Sequence, residues 1–248
     1  MDKDVLINDF AIRCFRDVAD QDYIAARLSF RSGLYPQFYW QSLQALEKYF
    51  KAIFLFNRIK ATDIGHDLHK AIEYIDDLPF SIEMCERTEE FIKIVSNYGE
   101  NRYFVTSYEV EGPKLSELDQ AVWEIRRYCK LLDYEEKQLN GETINMLSYE
   151  LDKIKESRKY LSKFRSFNGL LEKIIENRDH CSRNALTWQN LFFGKTLRKN
   201  VRTPTGFMTV NSPLYLNPEI LDELIKYIFI PKNQANVIRN SIKNNSSE

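Results

Sequence analysis

The stretch YPQFYWQSLQALEKYFKAIFLFNRI, residues 35–59, decides the fold that the sequence predicts. Its large apolar side chains recur at helical spacing on one face, and Gln, Lys and Arg side chains occupy another. The apolar positions are Tyr39, Leu43, Leu46, Phe50, Ile53 and Phe54. Burying each such side chain contributes roughly 1.5–3 kcal/mol, several times more than a surface ion pair on a helix. We therefore expect a buried helix at the centre of a helical bundle.

The composition favours a helical protein without a strong overall charge. The 248 residues include only 8 glycines and 7 prolines, which disfavours a turn-rich β architecture. The 35 basic and 36 acidic side chains nearly cancel, so a nucleic-acid contact must come from a local patch. Four cysteines stand far apart without CxxC spacing, and the longest purely apolar run, residues 52–56, is far too short to span a bilayer. We expect a reduced, cytoplasmic protein with no metal, no cofactor and no membrane partner.

Helical spacing continues on both sides of the central helix. Helices are expected over residues 8–34, with a bend near Asp20, over residues 66–72, and from a Ser81 cap to residue 98. Because Gly33 allows only a short turn before the central helix, the first two helices must run antiparallel. Residues 99–113 contain aromatic residues between Gly and Pro, and they predict an ordered extended loop.

The second half of the chain predicts further helices. Apolar steps of three and four over residues 115–132 and 144–161 predict a long helical hairpin, and such stripes are typical of core packing. A helix opened by Pro218 is expected to bury Ile225 and Ile228, and the polar stretch from residue 233 is expected to be frayed at its end. The fold class is therefore all-α: an up-and-down antiparallel bundle over residues 1–140, with a helical C-terminal extension over residues 141–248 packed on it.

Residues 8–135 resemble the HEPN family of small all-helical domains. The resemblance rests on the run YWQSLQALEKYFKAIFLF with its Glu47-Lys48 and Lys51 pattern, on Gly65-His66-Asp67-Leu68 at the third helix, and on Asn101-Arg102-Tyr103. Membership implies an up-and-down bundle, usually a homodimer, found in toxin–antitoxin, phage-defence and RNA-processing systems. Some members are metal-independent ribonucleases, and others bind nucleotides or partner proteins.

The family's ribonucleases carry an Arg followed by four to six residues and a His. This pair supplies a base near the ribose hydroxyl and a cation for the developing phosphate charge. No Arg stands at that distance before His66, His69 or His180. A catalytic pair would therefore have to come from Arg102 and His66, brought together by folding or across a dimer interface.

Other reactive arrangements are weaker in this sequence. His66 and His69 lie one helical turn apart, with Asp63 and Asp67 nearby, but this spacing favours a structural role over a metal site. Cys181 follows His180 directly, and adjacency in sequence does not make a catalytic dyad. We predict no metal site.

Two groups of residues are candidates for nucleotide or RNA binding. The first group consists of Lys48, Lys51, Arg58 and Tyr103. The second is a basic connector near several aromatic residues, and it contains Lys195, Arg198, Lys199 and Arg202. Cations bind phosphates and aromatic rings stack on bases, which is the combination that single-stranded RNA requires. The alternative, favoured for the connector, is a solvated basic turn whose aromatic neighbours lie in the core.

Three functions remain open. The first is a noncatalytic HEPN-type module, of a prokaryotic defence or RNA-processing kind, that binds a nucleotide, single-stranded RNA or a partner protein as a homodimer. The second is a metal-independent endoribonuclease that uses Arg102 and His66. The third is an interaction scaffold with no nucleic-acid role. Because the Arg-to-His spacing is missing, the sequence favours the first.

Overall fold

A computed structural model describes residues 2–65, 67–99, 105–159, 169–194, 198, 200–202 and 207–245. Within these residues the protein is all-α, with two small two-stranded sheets. The expected fold class is confirmed. No described helix combines the length and the apolar character that crossing a membrane requires.

The chain begins with one long helical run. It consists of α1 (Lys3–Phe10), a π-helical segment (Ala11–Arg16) and α2 (Asp17–Arg31). The irregular part of this helical run is residues 11–16, which lie before the bend expected near Asp20. Its backbone hydrogen bonds have the wider spacing of a π-helix. Gly33, with φ of +71°, then reverses the chain into α3 (Tyr35–Phe56).

Helix α3 forms the centre of the bundle, as its apolar face predicts. All six apolar positions named above are buried, and Phe50 is 0% exposed. The helix packs between α2 on one side and α5 (Glu86–Gly99) and α6 (Lys114–Arg126) on the other. The central position predicted for this helix is confirmed.

The segment before α5 differs from its prediction. A short α4 (Leu68–Glu73) and a 3-10 turn (Tyr74–Asp77) precede it, but α5 begins at Glu86, so the Ser81 cap is wrong. The backbone N–H groups of Glu83 and Cys85 donate instead to side chains of the α6 region, at 3.2 Å and 2.9 Å. These bonds hold the intervening chain extended.

The connection after α6 contains a β-hairpin. Strand β2 (Glu135–Lys137) pairs with β3 (Thr143–Asn145) around Gly141, which has φ of +89°. Helix α7 (Leu147–Lys159) follows, so the helical assignment of Ile144 is wrong and that side chain is exposed in a strand. The two helices of the expected hairpin are shorter than the apolar stepping indicates.

The C-terminal region is a set of short elements. They are α8 (Leu170–Glu176), α9 (Arg183–Thr187), β4 (Phe207–Val210), α10 (Pro213–Leu216), a 3-10 turn (Pro218–Ile220), α11 (Leu221–Leu224) and α12 (Lys232–Asn245). Strand β4 pairs antiparallel with β1 (Tyr108–Glu111), which lies in the region expected to be a loop.

One expectation for the C-terminal region is wrong. Ile225 and Ile228 are exposed, because α11 is a single short turn that buries only Leu221 deeply. The stretch from residue 233 is helical as far as Asn245, and it buries Ala235 and Ile238 against a second, smaller core with Leu214 and Leu221. The end that is expected to be frayed, residues 246–248, lies outside the described residues.

Candidate functional site

A polar cleft lies where four parts of the chain meet. Its volume is about 310 Å³. The parts are the start of α4, the end of α5, the segment before β1, and α12. The residues that line it are Asp67, His69, Ser96, Asn97, Thr106, Gln234 and Val237.

Local hydrogen bonds fix the α4 wall of the cleft. Asp67 is the N-cap of α4, and its Oδ1 accepts hydrogen bonds from the backbone N–H groups of His69 at 2.9 Å and Lys70 at 3.3 Å. Such a cap satisfies donors that a helix start leaves unpaired. It also places His69 in the first turn, beside the cleft.

Close helix packing fixes the α5 wall. A Cβ atom built on Gly99 would lie 2.7 Å from the Cβ of Leu43 in α3, so only glycine allows this approach. Ser96 and Asn97 occupy the same last turn of α5 and face the cleft. The tight contact therefore sets where these two polar side chains lie.

The far wall depends on the C-terminal region. The Ser212 hydroxyl donates to the carbonyl oxygen of Val105 at 2.8 Å, and the Ser212 N–H donates to the Ser107 hydroxyl at 3.0 Å. These bonds hold both sides of Thr106 in place. Gln234 and Val237 of α12 complete the wall.

The cleft is suited to hydrogen bonding. Among its described lining residues are two amides, two hydroxyls, an imidazole and a carboxylate, and none is Lys or Arg. Amide and hydroxyl groups both donate and accept hydrogen bonds, so they can match the edge of a planar polar molecule. Across the described chain, no three His, Cys, Asp or Glu side chains are grouped to hold a metal ion.

Several predicted site residues lie outside the described residues. They are His66, Arg102, Tyr103, Lys195 and Lys199. Some described residues near this pair in the sequence do come together: Asp67 directly follows His66, Asn97 precedes Arg102 by five residues, and Thr106 follows it by four. All three line the same cleft.

The predicted cations of the central helix are engaged in ion pairs. The Nζ atom of Lys48 lies 2.6 Å from an Asp22 oxygen, and that of Lys51 lies 2.5 Å from a Glu47 oxygen. Lys51 also donates to the carbonyl oxygen of Gly65 at 3.0 Å, and thereby ties α3 to the residue before His66.

Arg58 and the basic connector lie elsewhere. The Nη2 atom of Arg58 is 2.9 Å from an Asp4 oxygen, in an exposed pair. Arg198 and Arg202 are exposed, and the Arg202 backbone N–H donates to the Gln189 side chain at 3.0 Å. None of these three cations lines the polar cleft.

The aromatic neighbours of the connector differ in burial: Phe193 lies in the core, Trp188 and Phe192 are partly buried against it, and Phe207 is 64% exposed. The Phe193 ring packs against Tyr23 and Trp123, with ring centroids 5.6 Å and 5.8 Å apart, and Phe192 stacks on Trp123 at 6.2 Å. Trp188 lies under the guanidinium of Arg31 at 4.7 Å. These contacts support the solvated-turn interpretation over a base-stacking platform.

Two buried ion networks join the bundle to the C-terminal region, and the sequence did not reveal them. In the first, Arg126 of α6 donates to both Asp20 oxygens, at 2.6 Å and 2.8 Å, and to both Glu172 oxygens, at 2.7 Å and 2.8 Å. The Tyr49 hydroxyl adds a bond of 2.7 Å to Asp20. Burial acts to raise the pKa of Glu172, but the charge and hydrogen bonds of Arg126 outweigh it and the pKa is lowered.

The second network lies between α2, α6 and the segment around α9. Arg27 donates to Asp119 and, at 2.9 Å, to the carbonyl oxygen of Ala185. The Tyr23 hydroxyl donates to Asp119 at 2.6 Å and accepts from Asn190 at 2.8 Å. Burial raises the pKa of Asp119, and Arg27 acts against that rise. These buried groups tie α2 and α6 to the segment around α9.

Sequence reasoning missed the neutral residues of the cleft. Ser96, Asn97, Thr106 and Gln234 belong to no motif, and they come from three separate parts of the chain. For the networks, one signal was present: Asp20, Asp119 and Arg126 are charged residues that fall on the apolar faces of their helices. A charge inside a core stripe indicates a buried pair.

The fold and the cleft define a helical-bundle domain with a polar cleft. The HEPN domain family model matches residues 13–133 of the chain, and the remainder lies outside the match. Neither the curated proteins nor the solved structures contain a match to the chain.

Proposed function

We propose that this HEPN protein binds a nucleotide, as a free mononucleotide or within single-stranded RNA, at the polar cleft. The observation that carries the proposal is that one cleft is lined by residues near both His66 and Arg102 in the sequence. Asp67 follows His66, and Asn97 and Thr106 stand before and after Arg102. A volume of about 310 Å³ lies within the range of small-ligand sites.

The lining groups suit a base and a ribose. Proteins recognise unpaired bases by hydrogen bonds to their edges, and the amide of Asn97 offers donors and an acceptor for such bonds. The Asp67 carboxylate can accept from a ribose hydroxyl. In the proposal, Arg102 contacts the phosphate and Tyr103 provides a stacking surface. The other predicted cations contribute only to the surrounding charge. They are Lys48, Lys51, Arg58, Lys195, Arg198, Lys199 and Arg202.

The second candidate function is a metal-independent endoribonuclease. It is favoured by the same convergence, because a cleft bordered by the neighbours of both Arg102 and His66 could bring a cation and a base to one phosphodiester. The third, an interaction scaffold, requires no ligand in the cleft.

Labelled single-stranded RNA, incubated with pure protein in a chelator, distinguishes the three. We expect retention without cleavage, and we expect Asn97→Ala to weaken retention at least about fivefold, the loss of one ligand hydrogen bond. The matched control is Gln37→Ala, at an exposed amide in the first turn of α3 that does not line the cleft. Cleavage that disappears in Arg102→Gln and His66→Ala would favour the ribonuclease. Absence of both retention and cleavage, with AMP also failing to bind, would favour the scaffold.

We also propose that the chain forms a homodimer through its C-terminal region. Large apolar side chains are exposed on consecutive short elements there: Tyr215 and Leu216 are each 68% exposed, Tyr227 is 77% and Phe229 is 81% exposed. We propose that these side chains form one patch, a kind of surface that is uncommon on monomers. A second copy of the chain is the occupant we propose for it.

A further inference from the structure

A second cleft lies between the π-helical segment and the C-terminal end of α3. Its volume is about 350 Å³, and its residues are separate from those of the polar cleft. Apolar side chains form most of its wall, and two lysines, Lys51 and Lys60, border it. We propose that this cleft binds a small monoanion with an apolar body, namely a medium-chain or aryl carboxylate.

The apolar wall is held in place before any ligand arrives. The Phe54 ring stacks on Phe50 with centroids 6.2 Å apart and meets Tyr74 edge-on at 6.1 Å. The Phe15 ring is held edge-on against Phe10 at 5.7 Å. Because the side chains are already ordered, a ligand that contacts them loses little affinity to ordering. The wall therefore suits a flat or aliphatic body.

Irregular backbone lies at both edges of the cleft. Phe15 belongs to the π-helical segment, and such segments occur frequently at functional sites. Arg58 has φ of +55°, a conformation that non-glycine residues seldom adopt, and it directly precedes two residues of the cleft. Its side chain is anchored to Asp4 at 2.9 Å and to Asn8 at 3.0 Å. These bonds hold Arg58 in a conformation that costs free energy.

The positive charge at the cleft suits a ligand that carries one negative charge. Lys51 is already neutralised by Glu47 at 2.5 Å. Lys60 is exposed and forms no ion pair within the described part of the chain. The charge of Asp63 acts on both Lys60 and Lys70, and its carboxylate accepts a hydrogen bond from the Tyr74 hydroxyl at 2.7 Å. Lys60 therefore remains the cation at this cleft that can pair with one ligand carboxylate. A phosphate monoester carries nearly two charges at neutral pH, so part of its charge would stay unmatched.

Isothermal titration of the full chain with octanoate and with phenylacetate tests the proposal. We expect saturable binding of one ligand per chain, weakened about fivefold in Lys60→Gln, as for one partly exposed ion pair. The matched control is Lys173→Gln, at an exposed lysine outside the cleft, which should bind as the wild type does. Failure of both carboxylates to saturate, or equal weakening in both variants, would overturn the proposal.

A second variant tests the location. Ala61 borders the cleft, and Ala61→Trp should fill it and abolish octanoate binding while RNA retention is unchanged. Octanoate binding that survives in this variant would place the ligand elsewhere and overturn the site. Displacement of octanoate by AMP at similar concentration would overturn the ligand class. If Ala61→Trp does not fold, the comparison of Lys60→Gln with Lys173→Gln decides.

Discussion

Glu172 shows how single residues hold the extension to the bundle. Its carboxylate is buried and shares Arg126 with Asp20, so a neutral replacement leaves the guanidinium with one charged partner. Removing one member of a buried pair costs on the order of 3 kcal/mol, because the remaining charge is poorly compensated. The cost is electrostatic and must therefore depend on pH.

We expect Glu172→Gln to lower the free energy of unfolding by about 3 kcal/mol at pH 7. The folded state lowers the pKa of Glu172, so its stabilisation is complete above the usual value of 4.5 and is lost as the pH falls below it. The difference between wild type and variant should thus shrink in acid. Urea unfolding from pH 7 to pH 3.5 measures it, and a difference that does not change with pH would contradict this account.

Gly99 tests close packing at the edge of the polar cleft. In an ordinary helix, Gly→Ala stabilises by about 1 kcal/mol. Here the added Cβ would lie 2.7 Å from the Cβ of buried Leu43, so we expect Gly99→Ala to destabilise by about 1–3 kcal/mol, the cost of overpacking. Denaturant melts decide the sign, and a more stable variant would show that α3 and α5 can move apart.

Helix α3 is the element on which the bundle depends. Phe50 is fully buried among the helices around α3, so Phe50→Ala should reduce the free energy of unfolding by about 3–5 kcal/mol. Leu34→Ala, at an exposed position just before the helix, is the control and should change it by less than about 1 kcal/mol. Similar small losses for both variants would place α3 at the periphery.

Helices that are determined by residues close together in the sequence could be predicted. The apolar face of α3 repeats over six turns of one helix, and no distant residue is needed to recognise it. The hairpin of β2 and β3 was missed because Ile144 continues a helical stepping, although the Asn140-Gly141 turn decides the structure. Helix α12 was missed because its polar composition concealed the spacing of Ala235 and Ile238.

Features that join distant parts of the chain could not be predicted from the sequence. The Arg126 network brings together Asp20 and Glu172, and the polar cleft brings together Asp67, Asn97 and Gln234. No periodicity relates such positions, because tertiary packing alone brings them together. The resemblance to HEPN domains indicated the neighbourhood of the cleft through the sequence around His66 and Arg102, whereas the neutral side chains lining it required coordinates.

At the scale of the whole molecule, the C-terminal region has a small core and a large apolar surface. Its buried cluster consists of Val105, Leu214, Leu221, Ile230, Ala235 and Ile238. Exposed apolar residues between positions 215 and 229 outnumber those that this stretch buries. Three of the exposed side chains are aromatic, at roughly 150–250 Å² each, and the exposed Leu and Ile side chains add to this area. Together they approach the roughly 800 Å² that each partner contributes to a stable interface.

The proposed homodimer follows from that area, and near-neutral net charge allows two copies to approach without strong repulsion. We expect the wild type to elute as a dimer in size-exclusion chromatography with light scattering, and the double variant Tyr227→Glu, Phe229→Glu to elute as a folded monomer. Buried charges without partners disfavour association, whereas the same charges are well solvated on a monomer. Leu139→Glu, at the exposed tip of the β-hairpin, is the control and should remain dimeric. A monomeric wild type, or a double variant that stays dimeric, would place the interface elsewhere or remove it.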